Sequence, residues 1–176
     1  MKIQKDFFSR DAKAVAKDLL GKILIRKINN KELKAKIVET EAYFGEEDPA
    51  SRASKGKNKV SEMMRDEPGK ILIYNVHKYK MLNIVTGKKD EPSAVLIRAL
   101  EPINFNTRCS GPGLLTNSLK IEKDLHGEEI FSLESIWIDN NKTAFKIAES
   151  FRVGVTKDLP EKLRFYIRDN KFVSKK

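Results

Sequence analysis

Between Ser9 and Gly21 the apolar residues Ala12, Val15, Ala16, Leu19 and Leu20 fall at helical spacing, with Ser9 placed as an N-cap and Gly21 as the stop. This predicts one amphipathic helix. The pattern then becomes strand-like over residues 22–28 and 33–43, on either side of the turn-prone Asn29-Asn30-Lys31, which predicts a hairpin. Residues 70–76, 79–86 and 93–101 are rich in Ile, Val, Leu and Tyr and are punctuated by Gly87 and Pro92, so the middle of the chain reads as sheet. Pro112 fits a first helical turn, with Leu114, Leu115, Ser118 and Leu119 sharing a face after it. Further strands are expected over 134–139, around Trp137, and over 163–168, where Leu163, Phe165 and Ile167 alternate with Arg164, Tyr166 and Arg168. Residues 51–59 have no apolar period and read as a loop. An early hairpin, segregated strands and few helices favour an α+β fold, an antiparallel sheet with a few flanking helices, over a doubly wound one.

The chain has 176 residues, enough for one domain spanning 1–176 with a proper core. Its 40% hydrophobic and 34% charged residues describe a globular protein with a dense ionic surface. Thirty-five Lys and Arg against 25 Asp and Glu give +10, a field that attracts polyanions and puts nucleic acid first among partners. The loop at 51–59 concentrates that charge, with Arg52, Lys55, Lys57 and Lys59 and no acid. The single cysteine, Cys109, excludes an internally disulfide-stapled scaffold and points to a reducing compartment. With it, His77 and His126 are too few for a Cys/His zinc cluster, although a carboxylate-held magnesium is not excluded. There is no signal-peptide core and no run of ~18 apolar residues, so a cytoplasmic protein with no membrane partner is expected.

Period two places Leu33, Ala35, Ile37, Glu39, Glu41 and Tyr43 on one side of the second hairpin strand, an apolar stripe that turns acidic. A carboxylate on an inward face must be paired, protonated or employed. The same pattern arises where a strand simply runs out into solvent, so Glu-x-Glu alone assigns no role. Arg98 is the complementary oddity, aligned with Ala94, Leu96 and Leu100 in an otherwise apolar strand. An inward guanidinium there needs a carboxylate or phosphate, and Glu39 or Glu41 would serve, either as an internal ion pair or as a preorganised acid and base holding a water. Tyr43, Tyr74 and Tyr79 punctuate the central strands near the basic loop. Such aromatics stack splayed bases, but are as readily core or rim residues. His77, between two strands and beside Lys78 and Lys80, should protrude.

The strings IVETEAYFGEEDPAS (37–51), PGKILIY (68–74), MLNIVTG (81–87), VLIRALEP (95–102), CSGP (109–112), RVGV (152–155) and LRFYIR (163–168) follow one another in a set order. In these motifs and their intervals the chain resembles the alkyladenine, or 3-methyladenine, DNA glycosylase family over nearly its whole length. The resemblance implies a single-domain fold with a curved, mostly antiparallel sheet that acts on one flipped nucleotide. It puts the catalytic carboxylate on Glu41, the water-holding arginine on Arg98 and a water-contacting valine on Val153. Tyr43 and Tyr74 match the aromatics that sandwich the base, and Asn83 the active-site asparagine. His77 matches the wedge residue, with a one-residue deletion before Asn83. Two further departures are Arg52, where the family usually has a histidine lining the base pocket, and the short connection Ile103 to Arg108.

The expectation is therefore a monofunctional DNA glycosylase that hydrolyses the N-glycosidic bond of a damaged purine, alkylated, deaminated or etheno, in base excision repair. No metal or organic cofactor is implied. The partner is double-stranded DNA containing damaged purines, bound by a monomer through Lys55, Lys57, Lys59 and His77, in the cytoplasm, or at the nucleoid in a prokaryote. The alternative from another class is a non-catalytic basic nucleic-acid-binding protein. A carbohydrate glycosidase using Glu39 and Glu41 is a weaker third reading, because a basic surface gains nothing in approaching neutral sugars.

Overall fold

The computed structural model describes residues 1–175. Its helices are α1 (Lys5–Phe8), α2 (Ala12–Leu19), α3 (Lys59–Met63) and α4 (Pro112–Ser118). The strands are β1 (Ile23–Ile28), β2 (Lys31–Tyr43), β3 (Ile71–Val76), β4 (Tyr79–Val85), β5 (Ala94–Pro102), β6 (Ile136–Asp139), β7 (Ile147–Ser150) and β8 (Arg164–Ile167). All of the strand pairings are antiparallel, in the order β3-β4-β5-β2-β1-β6, so the fold is α+β as expected. β2, at 13 residues, is the spine. One edge pairs with β5, while the other is shared, residues 31–36 with β1 and 39–41 with β8, to which β7 adds.

Local chemistry accounts for the elements and corrects three expectations. The helix cap is Asp11, not Ser9: its carboxylate accepts from the Lys13 and Ala14 amides, whereas Ser9 closes α1. The first hairpin turns on two residues, Asn29 and Asn30, at φ +48° and +63°, the paired left-handed geometry that Asn tolerates and that matches strand twist. Residues 51–59 are not a plain loop. A 3-10 turn spans Arg52–Lys55 and α3 follows, capped by Asn58 and Ser61 in a reciprocal pair. α1, α3 and β7 are too short to leave a periodic signal in sequence.

β2 carries the correction that matters most for the site. Its pairing with β5 slips between Ile37 and Glu39 and again between Glu39 and Thr40, leaving Val38 and Arg98 outside the regular register. Ala35 and Ile37 join the main core, and so do Val38 and Ala42, while the Thr40 hydroxyl donates to Ala16 of α2 at 2.8 Å. The apolar stripe thus does not turn acidic; at the bulge the strand changes parity. Beyond it, Glu39, Glu41 and Tyr43 face away from α2. Ile71, Ile73, Leu82, Ile84, Val95 and Ile97 belong to the same core as α2. The alternate residues Leu72, Tyr74, Val85 and Ala94 pack with Tyr43 beneath the 51–64 segment as a second, smaller cluster.

Candidate active site

The second face of the sheet holds one lateral row. Register pairs Leu72 with Asn83, Asn83 with Leu96, Leu96 with Glu41, and Glu41 with Arg164. Residues opposite one another in a sheet share a face, so strand pairing alone brings together residues up to 92 positions apart. A cavity of about 400 Å³ opens here, lined by Tyr43, Arg52, Tyr74, Leu96, Arg98 and Val153 among others. Asn83 lies behind it in a small recess with Tyr43, Arg52 and Tyr74, its amide donating to the Leu72 and Met81 carbonyls at 3.3 Å each.

Glu41 has no exposed surface. It lies beneath the wall formed by Tyr43, Arg98 and Val153, each of which touches it: the Val153 amide donates to Oε1 at 2.7 Å, the Tyr43 hydroxyl donates to Oε2 at 2.7 Å, and Arg98 Nε stands 3.4 Å from Oε1. Burial pushes the Glu41 carboxyl above the usual carboxylate range, opposed by Arg98, the Val153 amide and Tyr43. Burial, with Glu41 beside it, likewise holds the Tyr43 phenol well above its ordinary value, so it remains a donor.

Glu39 is equally buried but differently employed. Its Oε1 accepts from Arg98 Nε (3.0 Å), Arg164 Nε (2.7 Å) and the Ser174 hydroxyl (2.8 Å), and its Oε2 from the Ser174 amide (2.6 Å). Burial raises its carboxyl, but the Ser174 amide and the two guanidinium groups outweigh that and hold it below the usual range. Two carboxylates two residues apart are thus pushed in opposite directions, the arrangement that separates a base from a structural anion.

A second buried ion cluster supports the wall. Arg152 reaches Asp48 with both terminal nitrogens (2.7 and 2.6 Å), contacts Asp158 and the Ala42 carbonyl, and stacks on Tyr43 at 4.6 Å from the ring centroid. Asp48 in turn accepts from the Phe44 and Ala50 amides, tying the segment after β2 to the loop that carries Val153. Gly154, at φ +75°, makes the turn that follows. Sequence reasoning missed Asp48, Arg152, Arg164 and Ser174. Asp48 and Arg152 sit inside the quoted motifs without any periodic signal. Arg164 falls on the face opposite Phe165, as the alternation predicts, but nothing local shows that it is buried there against Glu39.

Other site residues fall at the rim. The Arg52 guanidinium lies over the Tyr74 ring at 4.9 Å and, among the described residues, pairs with no carboxylate. Lys55 lines the cavity mouth, while Lys57 and Lys59 are exposed beside it, again without carboxylate partners among the described residues. His77 does not line the cavity. It is the exposed tip of the β3–β4 hairpin, at φ +54°, next to Val76, which does. The hairpin is clamped by α4: a Cβ on Gly113 would sit 2.6 Å from the Tyr79 ring, so only glycine permits this approach, and the Thr116 hydroxyl donates to the Lys80 carbonyl.

Residues 6–171 match the family described as methylpurine-DNA glycosylase (MPG), and the chain belongs to that family: it is a DNA-repair hydrolase of N-glycosyl bonds. Relatives align along almost all of it. The chain is 39% identical to a protein of Aeropyrum pernix over 180 residues (98% of this chain, 93% of the relative), 38% identical to one of Clostridium perfringens strain 13 over 207 residues (100% of both), and 41% identical to one of Legionella pneumophila strain Corby over 180 residues (99% and 98%). Each carries the name "Putative 3-methyladenine DNA glycosylase". No helix among the described residues is long and apolar enough to cross a membrane.

Proposed function

We propose that the protein, acting as a monomeric single domain, takes a damaged purine extruded from duplex DNA into the cavity beside Tyr43 and Tyr74 and hydrolyses its N-glycosidic bond, with Glu41 as general base. The supporting observation is the placement of Glu41, buried, pushed above the usual carboxylate range and held by Val153, Tyr43 and Arg98. Val153 and Tyr43 occupy two of its roughly four lone-pair sites, which leaves lone pairs that can accept a proton from a water. Ionised Glu41 also stabilises the positive charge that develops on the sugar. Extrusion is required because the target atom is unreachable inside a stacked duplex. Duplexes carrying hypoxanthine, ethenoadenine or 7-methylguanine, incubated with the protein and then treated with alkali, should break at the lesion; intact strands with all three would refute the reading.

Arg52 sets an expected preference. Two like charges about 5 Å apart at an effective dielectric of about 20 repel by about 3 kcal/mol, so a guanidinium on the Tyr74 side of the cavity disfavours purines made cationic by alkylation and favours neutral ones. In Arg52→His the ratio of single-turnover rates for hypoxanthine over 7-methylguanine should fall about tenfold, less than the full repulsion because Arg52 is partly exposed and solvent screens it. An unchanged ratio with weaker overall binding would put Arg52 on the DNA backbone instead.

The exposed lysines 55, 57 and 59 supply phosphate contacts in this reading. Neutralising all three should flatten the plot of log affinity for undamaged duplex against log salt by roughly 2–3 units, at about 0.9 per phosphate released. An unmoved slope removes this segment from the DNA face. His77, at the hairpin tip, fills the gap left by the extruded nucleotide. His77→Ala should slow excision from paired duplex more than from single strands, where there is no stack to fill; equal losses would assign it another role.

A further inference from the structure

Arg98 stands between two buried carboxylates and can satisfy only one of them fully. A guanidinium that presented its Nε–Nη2 edge to Glu41 would form a two-point ion pair, which would both acidify that carboxylate and shield it from water. In the structure that edge is taken: Nε donates to Glu39 at 3.0 Å and Nη2 to the Ser174 hydroxyl at 3.2 Å. Ser174 completes the clamp, since its hydroxyl donates to Glu39 Oε1 and its amide to Glu39 Oε2. The segment that carries it is anchored independently. Val173 is buried in the main core, Phe172 packs against it, and Asn170 holds Glu101 at 2.8 Å. Arg164 adds the second cation on Glu39 and also donates to the Lys175 carbonyl.

We infer that Ser174 is a positioning residue for base excision: through Glu39 it reserves the Arg98 edge and so keeps Glu41 free to act on water. Ser174 does not touch Glu41 or line the cavity and acts only through its partners Arg98 and Glu39. The inference rests on the proposed role of Glu41, and the two can fail separately.

The test is single-turnover excision across pH, with a lesion duplex that the native protein cleaves, in Ser174→Ala and Ser174→Thr. Loss of the hydroxyl lets Arg98 turn toward Glu41. In Ser174→Ala the plateau rate should fall about fivefold and the acid limb of the rate profile should move to lower pH by about half a unit, as an approaching cation makes a carboxyl more acidic and a weaker base. Duplex affinity should stay within about twofold, and Ser174→Thr, which keeps amide and hydroxyl, should restore both rate and limb. Glu39→Gln removes the same anchor and should move the limb in the same direction, which covers the case in which Ser174→Ala fails to fold. A native limb in the variants, or a rate loss that merely follows the melting temperature, would make Ser174 structural and overturn the inference while leaving Glu41 as the base. Native excision by Glu41→Gln would overturn both.

Discussion

Glu41→Gln is expected to lose excision by roughly 10²–10⁴-fold, the contribution of a well-placed general base, while binding lesion-containing duplex as the native protein does. The amide fits the site: its oxygen accepts from the Val153 amide and its nitrogen donates to the Tyr43 oxygen, in place of the two hydrogen bonds of 2.7 Å made by the carboxylate. A base works when ionised, and burial holds this carboxyl above the usual range. The native rate should therefore fall as pH drops through a limb lying above the ordinary value of 4.5. Stability should move the other way. A carboxyl raised on folding contributes stability below its unfolded value and loses it as pH rises through the folded one. At neutral pH ionised Glu41 is thus a burden on the fold, and Glu41→Gln should melt no lower than the native protein. Retained excision would show that Glu41 is not the base.

Arg98→Ala is expected to abolish excision and, unlike the Glu41 change, to destabilise the fold. Arg98 is only 7% exposed and stands 3.0 and 3.4 Å from two carboxylates with no exposure at all. Removing one partner of a buried ion pair costs about 3–5 kcal/mol, equivalent in a chain of this length to a fall in melting temperature of about 10 °C. The deficit should depend on pH. Native Glu39 is held below 4.5, so its stabilising contribution is present above that value and lost as pH falls through its folded one. Without Arg98 both carboxyls shift upward, so protonation at lower pH relieves part of the cost. Thermal unfolding at pH 7 and near pH 4.5 should show a large deficit at the first and a smaller one at the second. An equal deficit at both would mean that Arg98 matters for packing alone.

What period and spacing could reveal about these residues is local. Residue type and punctuation placed strands over 70–76, 79–86 and 93–101, each within a residue of β3, β4 and β5, and the oddity of Glu39, Glu41 and Arg98 among apolar neighbours was visible because buried charge is too costly to occur without a partner. The motif order exposed the family, since ETEAY, RALEP and RVGV keep their intervals along the chain. Tertiary structure alone decided which partner each charge has. The bulge at Val38 inverts the parity of β2, and one residue of slip moves every later side chain to the opposite face, so Ile37 enters the core while Glu39 and Glu41 meet the cavity wall. Glu39 and Glu41 are the same residue type two positions apart. One becomes an anchored anion and the other a carboxyl pushed above its usual range because Ser174 and Arg164, 135 and 125 positions from Glu39, close around the first and not the second. Sequence sets which side chains are available and how they alternate; the curvature and register of the sheet set which of them meet, because those contacts form between strands far apart in the chain.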